Sequence, residues 1–231
     1  PQEGAEPRQV NGPPAPPAKG RISMATLEAG NGPHFGLPVL QVGTPLDQAQ
    51  VAMILVHGRG ASPEDILALG QEIASSVDVP LAMLAPTAAG SSWYPYSFLV
   101  DLERNQPELS SALATIGDTL GIVTASGVPP ERTILLGFSQ GACLALEFAA
   151  RNARRYGGVV GLSGGLIGPP GTPREYQGSL AGTPVFLGCD ERDPHIPRER
   201  VEESAAVLEK LGGEVTKRIY RGLGHSVNRD E

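Results

Sequence analysis

The sequence predicts an α/β fold: one domain over residues 37–231, with helices on both faces of a mostly parallel sheet. Two observations carry this. Short, continuous apolar runs recur along the chain, as strands covered on both faces require. Longer segments of helical pattern separate them, and that alternation implies a layered α/β sandwich.

The elements follow in order. Val51–Val56 is the first buried strand. Ser62 then offers an N-cap, Pro63 suits the first helical position, and Glu64 and Asp65 give an acidic first turn, predicting a helix to about Val77. Leu81–Ala85 is the next strand. Glu108–Ala125 is a helix that stops before Gly127 and the Pro129-Pro130 pair. Thr133–Gly137 is a strand and Gln140–Arg151 a helix, followed by strands at Gly158–Leu162 and Pro184–Cys189. Pro197–Leu211 is a helix closed by Gly212 and Gly213, and Val215–Tyr220 is the last strand. Residues 1–36 read as a flexible Pro/Gly-rich leader. The run Pro13-Pro14-Ala15-Pro16-Pro17 has no apolar periodicity, and His34, which falls in this leader, is expected to be solvated.

Composition narrows the function. The 231 residues carry a net charge of -7, which argues against nucleic-acid binding. No apolar run is long enough to span a bilayer. Cys143 and Cys189 lie in apolar stretches and read as buried free thiols, and no Cys-x-x-Cys pair or His-rich cluster points to a metal. The thiols lean towards a cytoplasmic location; an export signal already removed would leave the same sequence.

The chemistry centres on Gly137-Phe138-Ser139-Gln140-Gly141. The pentapeptide Gly-x-Ser-x-Gly is weak alone, because its residues are common. Here it follows a strand directly and opens a helix, which is the context of the nucleophile elbow of α/β-hydrolases. The elbow forces the serine into a strained backbone, glycines on either side admit close neighbours, and the helix N-terminus favours developing negative charge. The pattern is neither Gly-x-Gly-x-x-Gly nor a phosphate loop. Ser139 is therefore the expected nucleophile of a serine hydrolase.

A serine hydroxyl needs a base, and in this fold the order is Ser, acid, His. Of the four histidines only His195 and His225 follow Ser139. His225 sits in a Gly-rich loop after the last strand and is the expected base; His195 reads as exposed loop. The acid should follow the strand Pro184–Cys189, where Asp190, Glu191 and Asp193 all occur. Asp193 is favoured and Asp190 is the runner-up. For the oxyanion, the backbone N–H of Gln140 is one expected donor and that of Arg59, in Val56-His57-Gly58-Arg59-Gly60, the other. His57 precedes the nucleophile and is expected to hold this loop by hydrogen bonds.

With these residues in place, the chain resembles the phospholipase/carboxylesterase family, which includes acyl-protein thioesterases. The matching segments are Leu55–Gly60, Ser92-Trp93-Tyr94-Pro95, Gly137–Gly141, Leu162-Ser163-Gly164, Asp193–Pro197 and Gly222–Ser226. The resemblance implies Ser139, Asp193 and His225 as triad, Arg59 and Gln140 amides as oxyanion hole, no cofactor and little or no lid. It also implies hydrolysis of carboxylic esters or thioesters. A helix is usual in the family after the histidine; the sequence ends at Glu231, six residues past His225. Arg59 stands where the family often has leucine, so its side chain either meets an acidic substrate group or points to solvent. Trp93 and Tyr94, with Tyr96 beside them, either line a substrate groove or pack against the core edge, and Phe98-Leu99-Val100 is a candidate continuation of the groove.

The expected function is a carboxylesterase for small to medium acyl groups. The alternatives are a lysophospholipase or acyl-protein thioesterase and, from another class, a catalytically silent binding module of the same fold. The expected partner is a small-molecule ester, with neither nucleic acid nor a membrane span, and a homodimer is left open beside the monomer.

Overall fold

The computed structural model describes residues 23–26, 32–75 and 77–231. Among these an eight-stranded sheet forms, in the order β1-β2-β4-β3-β5-β6-β7-β8. The strands are β1 (Ser23–Thr26), β2 (Pro38–Gly43), β3 (Val51–Val56), β4 (Leu81–Pro86), β5 (Thr133–Phe138), β6 (Gly158–Leu162), β7 (Pro184–Asp190) and β8 (Glu214–Tyr220). The pairs β1–β2 and β2–β4 are antiparallel and the remaining pairs are parallel. The six sequence-predicted strands are the six of the parallel portion. β1 and β2 form the antiparallel end and escape prediction. β1 has four residues, and β2 mixes buried Val39, Leu40 and Val42 with partly exposed Gln41.

Four helices connect and cover these strands: α1 (Pro63–Ala74), α2 (Glu108–Ala125), α3 (Gln140–Arg151) and α4 (Arg198–Lys210). α1 opens on the predicted cap, with Ser62 and Asp65 forming a reciprocal capping box and Pro63 at the first position. It ends at Ala74, three residues short of Val77, where Ser75 caps it. α1 buries Ile66 and Leu67 with Met53, Leu55 and Leu136 in one apolar layer. α2, α3 and α4 contribute to the larger layer, which also holds Ile54, Leu135 and Leu187. α3 is buried from Gln140 to Ala150, so the helix behind the elbow is a fixed platform.

Two expectations for the leader change. Ser23–Thr26 adds a strand to the sheet. His34 is 1% exposed and not solvated; its Nε2 lies 2.9 Å from Trp93 O, and Ala89 N donates to its Nδ1 at 3.0 Å. Burial lowers its pKa despite these contacts, so it is held as a neutral ring. The run Pro13–Pro17 lies outside the described residues. No described helix is long and apolar enough to cross a membrane.

Candidate active site

The carboxyl ends of β3, β5, β6 and β7 converge, and there the sharp turn from β5 into α3 raises Ser139. Ser139 has φ 56° and ψ -119°, a strained geometry for a residue with a side chain. The flanking glycines make it feasible. A Cβ on Gly137 would strike the backbone of Gly141, and one on Gly141 would strike the carbonyls of Val56 and His57. The elbow and the loop after β3 are therefore in backbone contact. Gly58 neighbours Ser139: a Cβ built on it would lie 3.4 Å from the serine Cβ, in ordinary contact.

His225 reaches Ser139 from the loop after β8. Its Nε2 lies 2.8 Å from Ser139 Oγ, and its Nδ1 lies 2.7 Å from Asp193 Oδ2. The structure thus brings together the three residues expected to act together. Asp193 has a fully buried side chain. Burial alone would raise its pKa; the hydrogen bond from His225 and those from His195 N and Ile196 N, at 2.8 and 3.1 Å, outweigh it and leave the pKa lowered. The carboxylate remains charged and fixed. Beneath it, Cys189 Sγ lies 3.8 Å from Asp193 Oδ2. Burial and that carboxylate push the thiol up to about 12. Cys143, also buried, is likewise pushed up to about 12 by burial. Both cysteines are free.

Asp190, the runner-up acid, does something else. It is 2% exposed and bonds no histidine; its oxygens accept from Arg192 N at 2.8 Å and Leu223 N at 2.6 Å. These backbone hydrogen bonds lower its pKa against the opposing effect of burial. Asp190 therefore ties the end of β7 to the loop that carries His225, two residues from that histidine. Asp190→Ala is expected to lower kcat by roughly 10- to 100-fold through misplacement of the imidazole, with KM little changed. Steady-state kinetics on a variant with native circular dichroism checks this, and an unaltered kcat would remove the role.

The loop after β3 is held as its residues suggest. His57 is 1% exposed; its Nδ1 lies 2.8 Å from Gly58 O, and its Nε2 accepts from Ala88 N at 3.4 Å. Burial lowers its pKa, which keeps it neutral. Trp93 Nε1 donates to His57 O at 2.9 Å. Gln140 fastens the neighbouring loop: its Oε1 accepts from Trp93 N and its Nε2 donates to Tyr94 O, both at 2.9 Å. The N–H of Gln140, first residue of α3, has no acceptor a turn earlier in that helix. The N–H of Arg59 belongs to the loop in which Gly58 neighbours Ser139.

A cavity of about 510 Å³ opens over Ser139. Its walls include Tyr94, Tyr96 and Phe98 on one side and His195, Ile196 and His225 on the other. Trp93 does not line it. Of its two readings Trp93 takes the packing one: it is fully buried and packs 5.0 Å from the His57 ring, its indole N–H donating to His57 O. Tyr94 is almost as buried, yet its edge reaches the cavity. His195, read as exposed loop, is exposed, but it also meets His225 edge-on at 4.8 Å. Arg59 does not simply point to solvent: it donates to Ser92 Oγ at 3.0 Å, Pro95 O at 2.9 Å and Tyr96 O at 2.8 Å.

One buried network had no sequence signal. Glu147 on α3 is 1% exposed and accepts from Arg151 Nε at 2.6 Å, Ile167 N at 3.0 Å and the Tyr176 hydroxyl. It anchors the long segment after β6 to the helix behind the serine. Only tertiary proximity reveals it, since its partners lie up to 29 residues away in the chain.

An eight-stranded, mostly parallel sheet with a strained serine at the strand-to-helix turn defines the α/β-hydrolase class. Within that class the chain belongs to the phospholipase/carboxylesterase family, whose model matches residues 37–231. It is similar to acyl-protein thioesterase 1 of Gibberella zeae, 37% identical over 108 residues, which is 46% of each chain; this match spans about half the length of that relative. It is similar to acyl-protein thioesterase 1 of Debaryomyces hansenii, 26% identical over 84% of this chain and 92% of that one. Among solved structures, a phospholipase/carboxylesterase from Dyadobacter fermentans has 41% identity and a TM-score of 0.79, covering 83% of this chain and 90% of that one.

Proposed function

We propose that the chain is a serine esterase that cleaves carboxylic esters of small to medium acyl groups through an acyl-enzyme at Ser139. The observation that carries this reading is the unbroken hydrogen-bonded series from Asp193 through His225 to Ser139 at the floor of an open cavity. His225 Nε2 takes the Ser139 proton as Oγ attacks the ester carbonyl. The oxyanion accepts hydrogen bonds from the N–H groups of Arg59 and Gln140, each worth roughly 3 kcal/mol in the transition state. Asp193 holds the Nδ1–H tautomer and balances the imidazolium. The intermediate collapses as the alkoxide departs with the His225 proton. Water, deprotonated by His225, then attacks the acyl-enzyme and releases the acid. Residues 37–231, with strand β1 and the buried His34 packed onto them, form the domain that carries this chemistry, and the two buried thiols suit a cytoplasmic site of action.

The acyl-size assignment rests on the cavity, whose volume and aromatic wall suit a short acyl chain or a single ring. Two relatives named acyl-protein thioesterase keep thioesters as the second reading. A series of p-nitrophenyl esters from C2 to C16, run beside matched thioesters, separates them. The expected result is maximal kcat/KM at short to medium ester chains; maximal activity on long-chain thioesters would replace the first reading with the second.

A further inference from the structure

The reading above leaves the substrate's charge open, and the inference drawn here rests on that reading. Three observations concern Arg59. Its guanidinium lies in the cavity wall, yet every acceptor it meets is neutral: one hydroxyl and two backbone carbonyls. Such contacts orient the fork without neutralising its charge, and an arginine stays protonated throughout the working pH range. Among the described residues, those lining the cavity include no aspartate or glutamate. The acid of the site, Asp193, is shut off behind His225 with its side chain fully buried. The cavity therefore holds a fixed cation and no facing anion, in a protein whose net charge is -7.

The surroundings reinforce this polarity. Arg104 stacks on Tyr96 at the rim, with its Cζ 4.6 Å from the ring centre. Arg104 lies in the 3-10 turn Leu102–Asn105, and the acids there, Asp101 at its N-cap and Glu103 within it, line a separate depression with Pro169–Pro173. The amino end of α3 points its dipole into the cavity at Ser139. Positive potential thus comes from the side wall, the rim and the floor.

We infer that the site selects anionic esters, and that Arg59 is the specificity-determining residue that pairs with the substrate's carboxylate. The backbone of Arg59 lies beside the serine, so its side chain reaches a carboxylate one arginine length from the reacting carbonyl. Two substrate types satisfy this: a dicarboxylic acid monoester, with the anion on the acyl part, and an ester of a hydroxycarboxylic acid, with the anion on the alcohol part.

The test compares kcat/KM for two matched pairs: p-nitrophenyl hemiglutarate against p-nitrophenyl valerate, and 4-(butyryloxy)benzoate against phenyl butyrate. Wild type and Arg59→Leu are run at low and high salt. The readout is the anionic-to-neutral ratio within each pair, which cancels any general effect of the substitution on the loop. A ratio of about tenfold or more in at least one pair is expected, falling with salt and lost in Arg59→Leu, with Arg59→Lys retaining part of it. The pair that shows the ratio locates the anion on the acyl or the alcohol side. Cleavage of neutral esters with no anionic preference in either pair overturns the inference and leaves the esterase reading standing. So does a preference that survives in Arg59→Leu. Failure to cleave all four esters, with Ser139 unlabelled by a fluorophosphonate, overturns both.

Discussion

Ser139→Ala is expected to lower ester hydrolysis by roughly 10^4- to 10^6-fold, because in the proposed mechanism no other nucleophile can occupy the elbow and the remaining amides act only on bound substrate. The loss falls on kcat, while KM changes little, since the hydroxyl contributes to bond-making more than to binding. The variant keeps its fold: removing Oγ deletes a single contact, the 2.8 Å hydrogen bond to His225, and relieves nothing in the glycine-flanked backbone. Steady-state kinetics with a p-nitrophenyl ester measures the effect, with fluorophosphonate labelling in parallel. Retention of more than about one hundredth of the wild-type rate would sink Ser139 as the nucleophile, given what loss of such a residue costs elsewhere.

Asp193→Asn is expected to give the second large effect, a fall in kcat of about 10^4-fold. An amide presents an N–H where His225 Nδ1 needs an acceptor, so the imidazole either turns or adopts the tautomer that cannot take the serine proton. The same substitution has a pH signature in stability. The folded-state pKa of Asp193 lies below its ordinary 3.8, so the carboxylate's stabilising contribution is complete above 3.8 and is lost as pH falls through the lower folded value. Thermal unfolding of wild type and Asp193→Asn should therefore differ most at neutral pH and converge in strong acid. A difference that persists unchanged to pH 2 would mean that the ionised carboxylate is not what stabilises the loop.

Legibility from sequence followed burial. Strands β3 to β7 were readable because their faces are largely covered, and that demand writes an uninterrupted apolar run such as Val51–Val56, whereas β8, last in the sheet order, buries none of its residues and carries Lys217 and Arg218. β2 obeys no such demand: it is antiparallel to both neighbours, and Gln41 interrupts its apolar run. The elbow was readable because its glycines are required by backbone contact, and a contact of that kind leaves no choice of residue. Trp93 was not, since an aromatic in a loop reads the same whether it faces a ligand or a carbonyl beneath it. Asp190 and Asp193 differ by three positions in one acidic turn, and only the direction of each carboxylate separates the one that meets His225 from the one that fastens its loop.

The backbone contacts of Gly137 and Gly141 also tell a protein engineer where not to look. Random libraries that touch these two positions spend clones on chains whose backbone would have to shift. Tyr96, Ser97 and His195 line the cavity while lying outside that glycine lock, and Tyr96 is 49% exposed. Saturation of those three codons offers the shortest route to retargeting the catalyst without rebuilding it.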